Sequence, residues 1–299
     1  MNRVKKVIVV FFLFLLPKNF LAQHYSLFSQ YLVNGLVINP AYAGRNEVLD
    51  ITVLSRKQWG GLAGAPVNSS FSVNTPLRNP TANVGFLYQS DNIGATQSHF
   101  FSGMYAYRMK FGKVNLSMGI QGGYQLALCK INDLKYNHDG DAVLESVNEN
   151  VNHFYTGAGL YLHTENYFFS FSKPWLYNTC SAAMKNPWLA SGGFMIPLSK
   201  DHQLKPSFLV RYVSNSPLQT DLSLNYYFKS RFGFAVSLRS EESFVFIAEY
   251  LLNEQLKAAI SYDAGCGSLA QYHNGSTEFM LRYYFAYTKS TRNPRAFVY

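Results

Sequence analysis

Between Val114 and Leu126 apolar and polar residues alternate at every step. One parity carries Val114, Leu116, Met118, Ile120, Gly122, Tyr124 and Leu126, the other Asn115, Ser117, Gly119, Gln121, Gly123 and Gln125. A period of two sends successive side chains to opposite faces of a β-strand, so one face is apolar or glycine and the other polar or glycine. Thirteen residues is long for a soluble sandwich, where about five or six are usual, and suits a tilted strand crossing a bilayer. The pattern returns where Leu222, Leu224, Tyr226 and Phe228 oppose Asp221, Ser223, Asn225 and Tyr227.

Applied along the chain, the same test predicts fourteen strands: 51–58, 69–75, 83–89, 99–110, 113–126, 153–163, 167–172, 189–196, 203–213, 220–229, 232–239, 243–250, 255–263 and 277–285. The segments 189–196 and 243–250 alternate poorly. Connections after odd-numbered strands reach 26 residues, while those after even-numbered strands have two to seven. That asymmetry, short turns on the periplasmic side and longer loops outside, belongs to outer-membrane barrels. The expected fold class is therefore all-β, a transmembrane antiparallel β-barrel of about 14 strands. Charge placement agrees: Arg56, Arg108, Lys205, Arg211, Asp221, Arg239, Glu249, Lys257, Asp263, Glu278 and Arg282 all take the polar parity. Lys57, near a strand end where its stem can snorkel, takes the apolar one.

Residues 1–22 have the form of a signal peptide, with basic Arg3, Lys5 and Lys6, an apolar core from Val7 to Leu16 and expected cleavage after Ala22. Beyond it no run of 18 apolar residues occurs, so any membrane crossing is made by strands. The formal charge of +9 falls to +5 without the leader's Arg3, Lys5, Lys6 and Lys18, and the remaining charges are scattered. No basic stripe for nucleic acid is present. With 14% charged and 16% aromatic residues, the composition excludes disorder. Four regions are expected: 1–22 signal peptide, 23–50 a segment docked in or on the barrel, 51–285 the barrel, and 286–299 a basic periplasmic tail with Lys289, Arg292 and Arg295.

Signs of chemistry are sparse. The seven histidines include no pair two to four residues apart, and the acidic turn at His138-Asp139-Gly140-Asp141 lacks the ligand ladder of a calcium loop. No nucleophile elbow or phosphate-binding loop occurs. The expectation is a protein with no enzymatic role, no metal and no cofactor. Cys129, Cys180 and Cys266 map to outer loops, and an odd count allows at most one internal disulfide.

Ahead of the first strand lie Leu27-Phe28-Ser29-Gln30-Tyr31, then Asn34, then Asn39-Pro40-Ala41-Tyr42-Ala43-Gly44. This stretch is too apolar to hang in periplasmic water, so it is expected to dock, as a structural plug or as a partner-recognition element. Further on come Arg56-Lys57-Gln58-Trp59, Gly64-Ala65-Pro66, Asp91-Asn92-Ile93-Gly94, Lys205-Pro206-Ser207, Ser261-Tyr262-Asp263 and the closing amphipathic strand from Glu278 to Phe285. As an ordered set these pieces resemble the PorP/SprF family of type IX secretion system membrane proteins. The tail after Phe285 departs from that pattern.

The resemblance implies an outer-membrane component of a secretion and gliding machinery of Gram-negative bacteria. Its implied partners are the C-terminal targeting domain of a large secreted surface protein, other type IX secretion components and outer-membrane lipid. Candidate contact residues are Phe28, Ser29, Gln30, Tyr31, Asn39, Pro40 and Gly44 in the docked segment. At the outer strand ends they are Arg56, Gln58, Trp59, Gly64, Pro66, Asp91 and Gly94. A porin-like channel for small anionic solutes, lined by the inward arginines, is the alternative.

Overall fold

Strand pairing runs unbroken around the molecule. The computed structural model describes residues 28–31, 33–129, 151–179, 186–214, 216–240, 243–266 and 268–285. The expected signal peptide and tail, the turn at 138–141 and Cys180 lie outside them. The strands are β1 Leu49–Lys57, β2 Val67–Pro76, β3 Ala82–Ile93, β4 Thr96–Phe111, β5 Val114–Cys129, β6 Val151–His163, β7 Tyr167–Asn178, β8 Trp188–Phe194, β9 Ile196–Pro197, β10 His202–Tyr212, β11 Gln219–Phe228, β12 Phe232–Arg239, β13 Ser243–Leu251, β14 Leu256–Gly265 and β15 Ser276–Phe285. Neighbours pair antiparallel, β10 pairs with β8, β9 and β11, and β1 pairs with β15, so the sheet closes. β8 and β9 are halves of one wall position, broken at Met195, whose N–H donates to the Asn166 carbonyl at 2.6 Å. The result is a closed 14-strand antiparallel barrel.

The alternation that predicts the strands also sorts their faces. All eleven charged residues of the polar parity are buried in the lumen, from Glu278 at 1% exposure to Arg108 at 6%. Lys57 is exposed on the outer face. Outward stand Ile120, Leu224, Phe234, Phe246 and Ile260, each at least half exposed. Aromatic rows flank this apolar wall. Tyr88 packs on Phe101 and Tyr124 on Phe154 with ring centroids 5.1 and 6.1 Å apart, across register partners of β3 to β6. Toward the opposite end, Phe228, Phe232 and Tyr250 stack across β11 to β13. On β4, Phe101 and Phe111 are ten residues apart. At about 3.3 Å per residue and a tilt of about 40°, that spans ~25 Å of height, the usual apolar band of such barrels.

Three expectations need correction. The connection after β3, read as nine residues, is the two-residue turn Gly94–Ala95, because β3 and β4 stay paired up to Ile93 and Thr96. The apolar signal fades there while the backbone ladder continues, since above the membrane neither face must be apolar. For the same reason Cys129 is the last residue of β5 rather than a loop residue, while Cys266 is exposed and free. Of the two poorly alternating segments, 189–196 is the strand that breaks, whereas β13 alternates cleanly in burial.

Candidate functional site

The described residues from Phe28 to Gly44, all buried, fill the lumen. Phe28, Tyr31, Leu36, Ala41, Tyr42 and Ala43 are at most 3% exposed. They pack against the few apolar residues that point inward, including Leu54, Leu87, Met104, Tyr161, Leu189 and Leu209. Its upper part holds to wall charges. The backbone N–H groups of Ser29 and Gln30 donate to the two oxygens of Glu278 at 2.8 and 2.9 Å. Ser29 Oγ donates to Asp263 at 2.8 Å and accepts from Arg56 at 2.5 Å. Arg56 also pairs with Asp263 at 2.6 Å and Glu278 at 3.3 Å, and Arg239 bridges Asp221 at 3.2 Å and Asp263 at 3.5 Å. Buried charges are tolerated only when paired and hydrogen-bonded, and here the docked chain supplies part of that pairing.

The Asn39-to-Gly44 motif anchors the middle and lower parts. Asn39 caps a short 3-10 helix, Pro40–Tyr42, by accepting from the Ala41 N–H at 2.9 Å, and Pro40 takes the first position, where no N–H is needed. The Asn39 amide nitrogen donates to the Leu160 carbonyl at 2.8 Å and Ser170 Oγ at 2.7 Å. Tyr42 meets Tyr161 edge-on at 5.5 Å, and its hydroxyl accepts from Arg282 at 3.4 Å. Arg282 also pairs with Asp50 and donates to the Val33 carbonyl. Gly44 has φ +68°, a left-handed conformation, and a Cβ there would strike Asn83 at 2.0 Å, so both backbone and space require glycine. Its N–H donates to Asn74 at 3.0 Å and its carbonyl accepts from Arg108 at 2.6 Å.

The second group of candidates forms an outer rim. Gln58 N–H bonds the Pro66 carbonyl at 2.9 Å, closing the β1–β2 loop. Gly60 exchanges bonds with the β14–β15 loop, donating to Gly275 at 2.7 Å and accepting from Asn274 at 2.8 Å. Gly64 accepts from Gly94 at 3.0 Å. The Trp59 and His273 ring centroids are 6.1 Å apart, and in the same two connections Leu62 and Tyr272 are exposed, at 45% and 66%. Asp91 lies in β3 and accepts from Asn68 at 2.6 Å. The candidate residues thus gather in two places, lumen and rim, and Arg56 at the end of β1 joins them.

Sequence reasoning missed Asp50, Gly119 and Gly159. A Cβ at Gly119 would meet Ala41 N at 2.3 Å, and one at Gly159 would meet Asn39 Oδ1 at 2.0 Å. Glycines on the inward parity of β5 and β6 were the available signal, since they mark where another piece of chain approaches a strand.

The model of the family described as "Type IX secretion system membrane protein PorP/SprF" matches residues 20–283. The chain belongs to the PorP/SprF family. It is accordingly a component of the type IX secretion system, and the closed barrel with its apolar outer wall places this PorP/SprF protein in the outer membrane. No curated protein sequence matches it. Similar solved structures are outer-membrane barrels. Omp33 of Acinetobacter baumannii has a TM-score of 0.48 and 9% identity, covering 80% of this chain and 98% of its own. Outer membrane phospholipase A of Escherichia coli has a TM-score of 0.40 and 12% identity over 79% and 92%. The monoaromatic hydrocarbon channel TodX has 0.44 and 8% over 83% and 92%.

Proposed function

We propose that this PorP/SprF barrel is a non-enzymatic partner for the secretion or surface attachment of large exported proteins that carry a C-terminal targeting domain. It engages them at its surface instead of conducting them. The observation that carries this reading is the lumen filled by the described residues of 28–44 and tied to wall charges at both ends. A barrel of this size lies between those filled by side chains and those with an aqueous channel, and here the remaining space is taken by the chain itself. The rim loops, braced by backbone hydrogen bonds between three connections, offer a fixed outer surface with exposed Leu62 and Tyr272. Gliding motility enters the proposal through the clients, which act at the cell surface. The porin alternative draws on the basic excess of the lumen but requires the segment to leave.

Deleting the gene tests the reading. The surface proteome is expected to lose one or a few large proteins while other exported proteins and the uptake of a small anion stay near normal. Unchanged display of every large exported protein, with slowed anion uptake, overturns it in favour of the channel.

A further inference from the structure

Lys173 stands apart from the other charges of the wall. Along β7, Phe169 and Phe171 face outward at 49% and 39% exposure, opposite buried Ser170 and Ser172, and Lys173 continues their parity. Lys57, the other outward strand lysine among the described residues, is the last residue of β1, whereas Lys173 lies five residues below Asn178, the last residue of β7. Its Nζ is 4.6 Å from the ring centroid of Trp188, the first residue of β8. Trp188 in turn stacks on Phe171 at 5.4 Å and 23°. Tyr212, the register partner of Trp188 on β10, extends the row outward at 48% exposure. Among the described residues no carboxylate lies within ion-pair distance of Lys173.

An outward ammonium on a membrane wall is costly unless its head reaches an interface and an anion. The Trp188 ring takes one side of the cation and leaves ammonium donors for an anion. Trp188 and Tyr212 end their strands on the side of the outer loops, so the anion at that level is a headgroup phosphate of the outer leaflet. The site falls where the wall is weakest. Among the described residues β8 shares six register pairs with β7, while the other neighbouring wall positions share eight to sixteen, β8 and β9 together sharing eight with β10.

We propose that Lys173, Trp188 and Tyr212 bind a phosphate of an outer-leaflet glycolipid of the lipid A type, and that the bound lipid braces the wall at β8. The test uses the full mature protein, purified from outer membranes in mild detergent, with lipid A counted by native mass spectrometry. Wild type is expected to retain lipid A, Lys173→Ala to retain about tenfold less, Lys173→Arg to restore retention, and Lys57→Ala to leave it unchanged. Delipidated wild type provides a readout independent of variant folding. Lipid A carrying its phosphates should raise the unfolding temperature, while the dephosphorylated form and inorganic phosphate should not. Equal retention by Lys173→Ala, or an equal shift with the dephosphorylated form, overturns the proposal. So does an equal shift with inorganic phosphate, which would make the site one for a free anion.

Discussion

Asn39 uses both ends of its amide, the oxygen to start a turn of helix in the docked chain and the nitrogen to grip the wall at Leu160 and Ser170. Half of that was legible in the sequence: asparagine before proline announces a cap. The other half joins residues 121 and 131 positions apart, and no local pattern encodes such a contact. The same holds for Arg56, whose inward parity was readable while its acceptors Asp263 and Glu278 were not. Asn39→Ala removes the cap and leaves buried wall groups without their donor. A loss of about 2 kcal/mol is expected, read as a lower midpoint in thermal unfolding of the detergent-solubilised barrel. An unchanged midpoint would mean that the segment is held by its apolar packing alone.

At the scale of the strand, alternation works where lipid enforces it and fails where water relaxes it. That is why the membrane-level parts of β5, β11 and β12 were readable, while the upper reaches of β3 and β4 were assigned to loops. Inward-facing sites carry a further difference. In an open channel, arginine at Ser117 or Asn225 would be accommodated, and the sequence alone suggests that tolerance. Here Ser117 is 1% exposed, and Asn225 donates to the Lys205 carbonyl at 3.0 Å and Ser207 Oγ at 3.3 Å. Both faces of this wall should therefore resist arginine. Leu224→Arg or Phe234→Arg should cost about 2–4 kcal/mol at mid-bilayer, and Ser117→Arg or Asn225→Arg should impair folding through overpacking and a displaced segment. The fraction of each variant that migrates as a heat-modifiable barrel measures this. Full assembly of the two inward variants would show that the lumen has room to spare.

For the molecule as a whole, closure of the lumen is the property that decides between a partner and a pore. The sequence marked 28–44 as too apolar for water, but it left two docking places open, inside the barrel or across its mouth. The choice depends on inward glycines and wall carboxylates that lie far along the chain. Among the described residues of the wall, seven buried basic residues, Arg56, Arg108, Lys205, Arg211, Arg239, Lys257 and Arg282, face five buried acids, Asp50, Asp221, Glu249, Asp263 and Glu278. With the segment in place these groups are shielded from solution and the protein should be electrically silent in a planar bilayer. Removing residues 28–44 while keeping residues 1–27 takes away the packing at Tyr42 and Leu36 and the N–H donors to Glu278, and water must then hydrate the wall charges. The deletion variant, where it still assembles, is expected to show steady conductance with a preference for anions, following the basic excess. Steady conductance by the intact protein would instead mean that the segment leaves the lumen in the membrane, and the partner reading would give way to the channel.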